Sequence, residues 1–234
     1  MIARGLLLAS LVAAPRLEAQ LNGVPVWPVG LPNPNAPSVD LIAAFHTTSG
    51  DDFVGPATTA DPGITLGIDQ SGSRRLTLRA LAGLISRDVT ALTRSNELQA
   101  AVLAGFNLLH VELGAQGHEA GVSALGGYGT STLSVGHEGN WLVGVDLSAA
   151  LAMGGWFLEP ALIPRWSWRR TETGSGEDWQ QGPAIGGALT AGFPFGLRLQ
   201  LAGERVFLGA GDASPPDLPQ TRTYAWSVAI RYRL

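Results

Sequence analysis

The chain contains neither cysteine nor lysine. Without cysteine there can be no disulfide framework, no thiolate metal site and no cysteine nucleophile. Without lysine every one of the fifteen cations is an arginine, and a net charge of −4 does not build the basic surface that a nucleic-acid partner requires. Charge of either sign is sparse, at 15%, whereas 45% of the residues are apolar, which is too hydrophobic for a disordered chain. Also missing is any apolar run of the ~18 to 20 residues that would cross a bilayer as a helix. No Walker loop, no Gly-x-Ser-x-Gly elbow and no Gly-x-Gly-x-x-Gly turn is present. The abundant residues are 31 Gly and 15 Pro among 234 positions, more than a helical protein would carry.

The first residues read as an address. Arg4 precedes an apolar stretch from Gly5 to Ala14, and the small Ala19 stands before Gln20, so residues 1–19 are expected to be a cleaved secretory signal peptide. Residues 20–38 carry Pro25, Pro28, Pro32, Pro34 and Pro37, which fix φ and withhold donors; an extended periplasmic tail is expected there.

From residue 39 to 234 the dominant period is two. In the last segment Tyr224, Trp226, Val228, Ile230, Tyr232 and Leu234 face one way, and Thr223, Ala225, Ser227, Ala229, Arg231 and Arg233 face the other. Similar alternation marks residues 39–47, 63–70, 75–85, 98–106, 110–118, 141–150, 156–167, 185–193 and 197–202. The fold class is therefore all-β, an antiparallel transmembrane barrel of ten strands with eight or twelve as the alternatives. Connections alternate long and short: Asn107, Leu108 and Leu109 serve as one short turn, and Glu119 to Asn140 as one long outer loop. Short periplasmic turns and long outer loops are the pattern of a barrel with both termini in the periplasm. Pro160 and Pro164 each remove a ladder donor and predict bulges or an irregular stretch in their segment. Aromatic side chains fall into two girdles, Trp156 and Tyr232 with Phe193 and Phe195 at the periplasmic level, and Trp141, Trp166, Trp168, Tyr224 and Trp226 with Phe45 at the external level.

The terminal SVAIRYRL, apolar at alternate positions up to its last residue, resembles the strand by which the barrel assembly machinery recognises its clients. Residues 39–234 as a whole resemble, by pattern, the small outer-membrane β-barrel proteins of Gram-negative bacteria. What the resemblance implies is a monomer in the bacterial outer membrane, with outer-membrane lipid, lipopolysaccharide and the assembly machinery as partners and with no cofactor.

Inward parity sends Asp40, Asp69, Glu112, Asp146, Glu159 and Glu204 into the lumen against Arg75, Arg79, Arg165, Arg169, Arg198, Arg231 and Arg233. Opposite charges in a lumen this narrow predict a salt-bridged plug, and so a structural or surface-interaction role. A narrow channel for ions or small solutes is the alternative, because Gly67, Gly83, Gly105, Gly114, Gly144, Gly186 and Gly192 point inward and leave room. His110, Glu112, Gln116 and His118 share a row without the spacing of a zinc protease helix, and no metal is assigned to them. His46 with Asp51 and Asp52 makes a rim-sited hydrolase of the omptin or lipid-modifying kind the third reading. No residue is assigned a catalytic role. The outer loops hold Asp51, Asp52, Asp61, Asp88, Glu119, Glu138, Glu172, Glu177, Asp178, Asp212 and Asp217, which predicts a negative external face.

Overall fold

A computed structural model describes residues 38–52, 55–56, 61–71, 76–90, 93–114, 116–133, 136–173, 176–209 and 221–234. The expected signal peptide, the tail up to residue 37, and Arg75, Asp212 and Asp217 lie outside the described residues. The strands are β1 (Ser38–Asp52), β2 (Gly55–Pro56), β3 (Asp61–Ser71), β4 (Leu76–Thr90), β5 (Thr93–Leu113), β6 (His118–Leu133), β7 (Gly136–Met153), β8 (Trp156–Thr173), β9 (Gly176–Gly192), β10 (Leu197–Leu208) and β11 (Thr221–Arg233). Each long strand pairs antiparallel with its neighbours, and β11 returns to β1 from Asp40↔Arg233 to Asp51↔Arg222. Ten strands thus close a barrel, and the two-residue β2 only clips onto the far end of β1.

One end of the wall, the turn end, holds the tight connections and the terminal strand ends Ser38 and Arg233. Gly154 (φ 59°) and Gly155 (φ 103°) supply the left-handed backbone between β7 and β8, and Gly196 (φ 84°) does so between β9 and β10. At the other, hairpin end, ladders run nearly to the tips: Thr90 pairs with Thr93, Leu133 with Gly136 and Thr173 with Gly176. This corrects the long outer loops expected at those three connections, which are continuations of the strands instead. A tilted strand needs only ~9 to 11 residues to cross a bilayer, so strands of 15 to 21 residues project well past it.

The segment after residue 106 corrects the expected strand division. Asn107, Leu108 and Leu109 form no turn; β5 runs through them, and the register shifts between Asn107↔Ser123 and Leu109↔Val122. This bulge lets the consecutive Leu108 and Leu109 both face outward. The true turn lies between Leu113 and His118, where Gly114 and Gly117 have positive φ. The expected loop from Glu119 to Asn140 is largely β6, whose inward Gly121, Ser123, Gly127, Gly129 and Ser131 resemble a loop in composition. Small size against a curved wall, not flexibility, explains them.

At Pro160 and Pro164 the β7–β8 register stays constant, so of the two expected outcomes it is the irregular stretch and not the bulge that forms. Ladder pairs are simply missing between Gly144↔Arg165 and Leu147↔Leu162, and again between Ser148↔Ala161 and Leu151↔Leu158. A proline without a donor loses its bond and nothing more.

Candidate functional site: the barrel lumen and its outer wall

The outward row of nearly every strand is large, apolar and uncovered. Phe45 is 56% exposed, Leu66 62%, Leu98 56%, Leu201 52% and Val228 55%. The inward rows hold the charge. Near the turn end the Asp40 carboxylate accepts from Arg198 at 3.0 Å, Arg231 at 3.2 Å and Arg233 at 3.2 Å. Glu159 lies in the field of Arg198, and the buried Asp146 faces Ser148 and the charge of Arg79. At mid-height Arg165 donates to Glu204 at 2.8 Å and to Ser167 at 2.5 Å, and Gln200 donates to Thr190 at 3.0 Å. Toward the hairpin end the buried Asn140 donates to Glu138 at 2.7 Å, and Arg169 bonds Gln180.

Between these polar groups lies a layer that is apolar and inward. Ile42, Ala44, Leu81, Ala101, Leu103, Leu125, Leu142, Ile163, Ala202 and Ala229 pack into one buried cluster drawn from eight strands. Ile163 and Ala229 have no accessible surface.

Ion pairs enclosed by a wall whose outer face is exposed leucine, valine and phenylalanine invert the arrangement of a water-soluble protein, and only a lipid surround makes that outer face favourable. The chain is a transmembrane β-barrel. No protein-family model and no curated protein matches its sequence. Similar solved structures are outer-membrane proteins. Neisserial surface protein A shares 7% identity and a TM-score of 0.41, with 86% of this chain and 100% of that one covered. The outer membrane protease OmpT of Escherichia coli shares 9% and 0.41, covering 86% and 98%, and the COG4313 outer membrane channel of Pseudomonas putida F1 shares 11% and 0.47, covering 87% and 97%.

Of the expected lumen residues, Asp40, Arg79, Asp146, Glu159, Arg165, Arg198, Glu204 and Arg231 are buried in the barrel, with Arg233 half-buried at its mouth. Asp69 lies on β3 in register with both Asp40 and Arg79. Glu112 is corrected: beyond the β5 bulge it reaches the rim of the turn end and is exposed. Two acids assigned to the outer loops move as well. Glu119 pairs with Glu112 at the turn end, and Glu138 is fully buried in the lumen because β7 extends to Gly136. Gly114 sits in a turn rather than facing the lumen.

The inward glycines do not leave a passage where their surroundings are described. A Cβ at Gly144 would lie 2.6 Å from the Arg165 Cβ, one at Gly192 2.0 Å from the Phe157 ring, and one at Gly105 3.3 Å from Leu125. Space given up by glycine is taken by a neighbour; Arg198 in turn lies 5.5 Å from the Phe157 ring. Residues missed from sequence are the neutral ones: Gln99, Ser131, Asn140, Gln180 and Gln200 line the interior beside the charges. Parity alone could have found them. His118 Nδ1 accepts from the Ala152 amide at 3.0 Å, and among the described residues no three acidic or histidine side chains are spaced for a metal. The side chains of His46, Asp51 and Asp52 lie outside the described residues.

On the outer wall Trp156, Trp166, Trp226 and Tyr232 are exposed, while Trp141, Trp168 and Tyr224 are half-buried. Tyr224 lies 4.9 Å from the Arg205 guanidinium, which also approaches Phe207 at 4.7 Å. Beyond them, toward the hairpin tips, Trp141 stacks on Trp179 with Tyr128 tilted against it, beside an Arg170–Glu177 pair.

Proposed function

We propose that this protein is a bacterial outer-membrane barrel that works through its external surface, with a lumen closed to solutes and the hairpin end outside the cell. The observation that carries this reading is the buried apolar layer across the lumen. An ion crossing there would shed its hydration shell against Leu125, Leu142 and Ile163 with no polar group in that layer, among the described residues, to replace it, at a cost of several kcal/mol. The Asp40 and Arg165 clusters on either side are internally paired, which suits a plug more than a selectivity filter. Strands that continue past the lipid band supply a stiff surface outside it, as a surface-interaction role requires.

The test is conductance of the purified protein in a planar bilayer. Wild-type protein is expected to be silent, and a Leu125→Gly, Leu142→Gly, Ile163→Gly triple variant that still folds is expected to leak. Steady wild-type steps that change when Glu204 or Arg198 is neutralised would replace this reading with the channel one.

A further inference from the structure

Tyr128 on β6 and Trp141 on β7 are cross-strand partners with ring centroids 5.0 Å apart. Trp141 reaches across β8 to stack on Trp179 of β9, at 5.5 Å and 17° between planes. Gly139 is what makes room, since a Cβ there would lie 3.2 Å from the Tyr128 hydroxyl and 3.4 Å from the Trp141 ring. Arg170 brings its guanidinium to 5.9 Å from the Trp179 centroid and donates from Nε and Nη2, at 2.8 and 2.9 Å, to the two Glu177 oxygens. Trp179 Nε1 donates to the same carboxylate. Both members of the ion pair remain about 40% exposed.

An interfacial girdle alone does not account for this arrangement. Among the described residues the girdle's Trp156, Trp166 and Trp226 enter no ring pair, and Phe193 and Phe195 at the turn end stack on each other as a purely apolar pair at 5.9 Å. Here two nearly parallel indoles are joined to a planar bidentate fork whose edge stays open to solvent. A flat π surface receives the C–H face of a pyranose ring, and an arginine–carboxylate fork beside it offers donors and acceptors to adjacent hydroxyls. The height selects the source of such a ring. Trp141 stands twelve positions from Met153 at the turn end of β7, roughly 30 Å along the barrel axis at ~3.3 Å per residue and ~40° of tilt, above an apolar band of about 25 Å. The stack projects sideways from the wall, so what lies against it is the headgroup layer of the surrounding membrane.

We propose that Tyr128, Trp141, Trp179, Arg170 and Glu177 form a binding site for a pyranose ring of a glycolipid headgroup in the leaflet around the hairpin end. The proposal rests on the outer-membrane placement and not on the closed lumen, so a conducting protein would leave it standing.

The full-length protein in phospholipid nanodiscs, with and without purified lipopolysaccharide, is titrated by tryptophan fluorescence and by the lipopolysaccharide that co-purifies. Saturable binding is expected. It should weaken about tenfold in Trp179→Ala and in Gly139→Leu, which lifts the rings, and about as much in Arg170→Lys, which keeps the charge but loses the fork. Trp156→Ala, at the opposite end, should bind as wild type does. Heat-modifiable migration checks that each variant is folded, and Arg170→Lys stands in if a ring variant is not. Equal binding by all folded variants, or no preference for lipopolysaccharide over phospholipid, would overturn the site. Deacylated oligosaccharide binding from solution as tightly as the acylated form would overturn its assignment to the membrane.

Discussion

Asp40, buried in the lumen, accepts from three guanidinium groups at once. Asp40→Asn should therefore cost about 3 to 5 kcal/mol, because Arg198, Arg231 and Arg233 would lose the carboxylate charge they share; urea unfolding in vesicles measures this. Gly144→Ala should cost about 1 to 3 kcal/mol by the same measurement, since its Cβ would press on the Arg165 Cβ at 2.6 Å and on the Pro164 carbonyl oxygen at 2.8 Å. At the hairpin end Arg170 first, and then Trp179, hold the Glu177 carboxyl below its ordinary range. The pairing is therefore complete above the ordinary carboxylate pKa of ~4.3 and is lost only as pH falls through the lowered native value. Trp179 emission should accordingly stay constant down to mildly acidic pH and change below it, and Glu177→Gln should abolish that transition. Which charges enter the lumen was legible from parity for Asp40, Arg165 and Arg231, because a charge inside an alternating strand has only two directions to point. Where parity broke, at the β5 bulge, it misplaced Glu112, since two adjacent leucines carry no mark that tells a turn from a bulge.

Among the elements, β11 and β10 show their alternation openly, and the strands that the sequence blurred are those built of small residues. β6 hides behind Gly121, Gly126, Gly127 and Gly129, whose composition is that of a loop, and only pairing with β5 and β7 makes it a strand. The hairpin extensions were hidden for another reason. Beyond the lipid band both faces of a strand meet water or other polar groups, so the alternation that marked the membrane portion disappears while the ladder continues. Within the band the two faces differ sharply. Val228→Arg places a charge in hydrocarbon and should destabilise the barrel by about 2 to 4 kcal/mol, whereas His137→Arg on an exposed hairpin position should change stability by no more than ~0.5 kcal/mol. Parallel unfolding titrations separate them, and equal costs would mean that β11 does not face lipid.

For the molecule as a whole, the barrel has a buried apolar layer inside as well as a lipid-facing exterior, an arrangement that alternation does not reveal, because Leu103, Leu125 and Leu142 on inward positions read as exceptions until they meet. Ile163→Ala should therefore cost about 2 to 5 kcal/mol, as a cavity in any packed core would, although the residue points into a lumen; the same urea titration tests it. The Asp40 cluster has a temporal consequence too. Its partners lie 158, 191 and 193 residues further along the chain, and two of them sit on β11, the strand whose arrival seals the seam with β1. Contacts so distant in sequence are slow to form, so during synthesis and insertion Asp40 must wait for the last strand to be delivered. Until then the first strand has an open edge. The ionic cluster is thus a latch that closes fully only once β11 is in place, and a copy without that strand would keep only Arg198 of the three partners of Asp40.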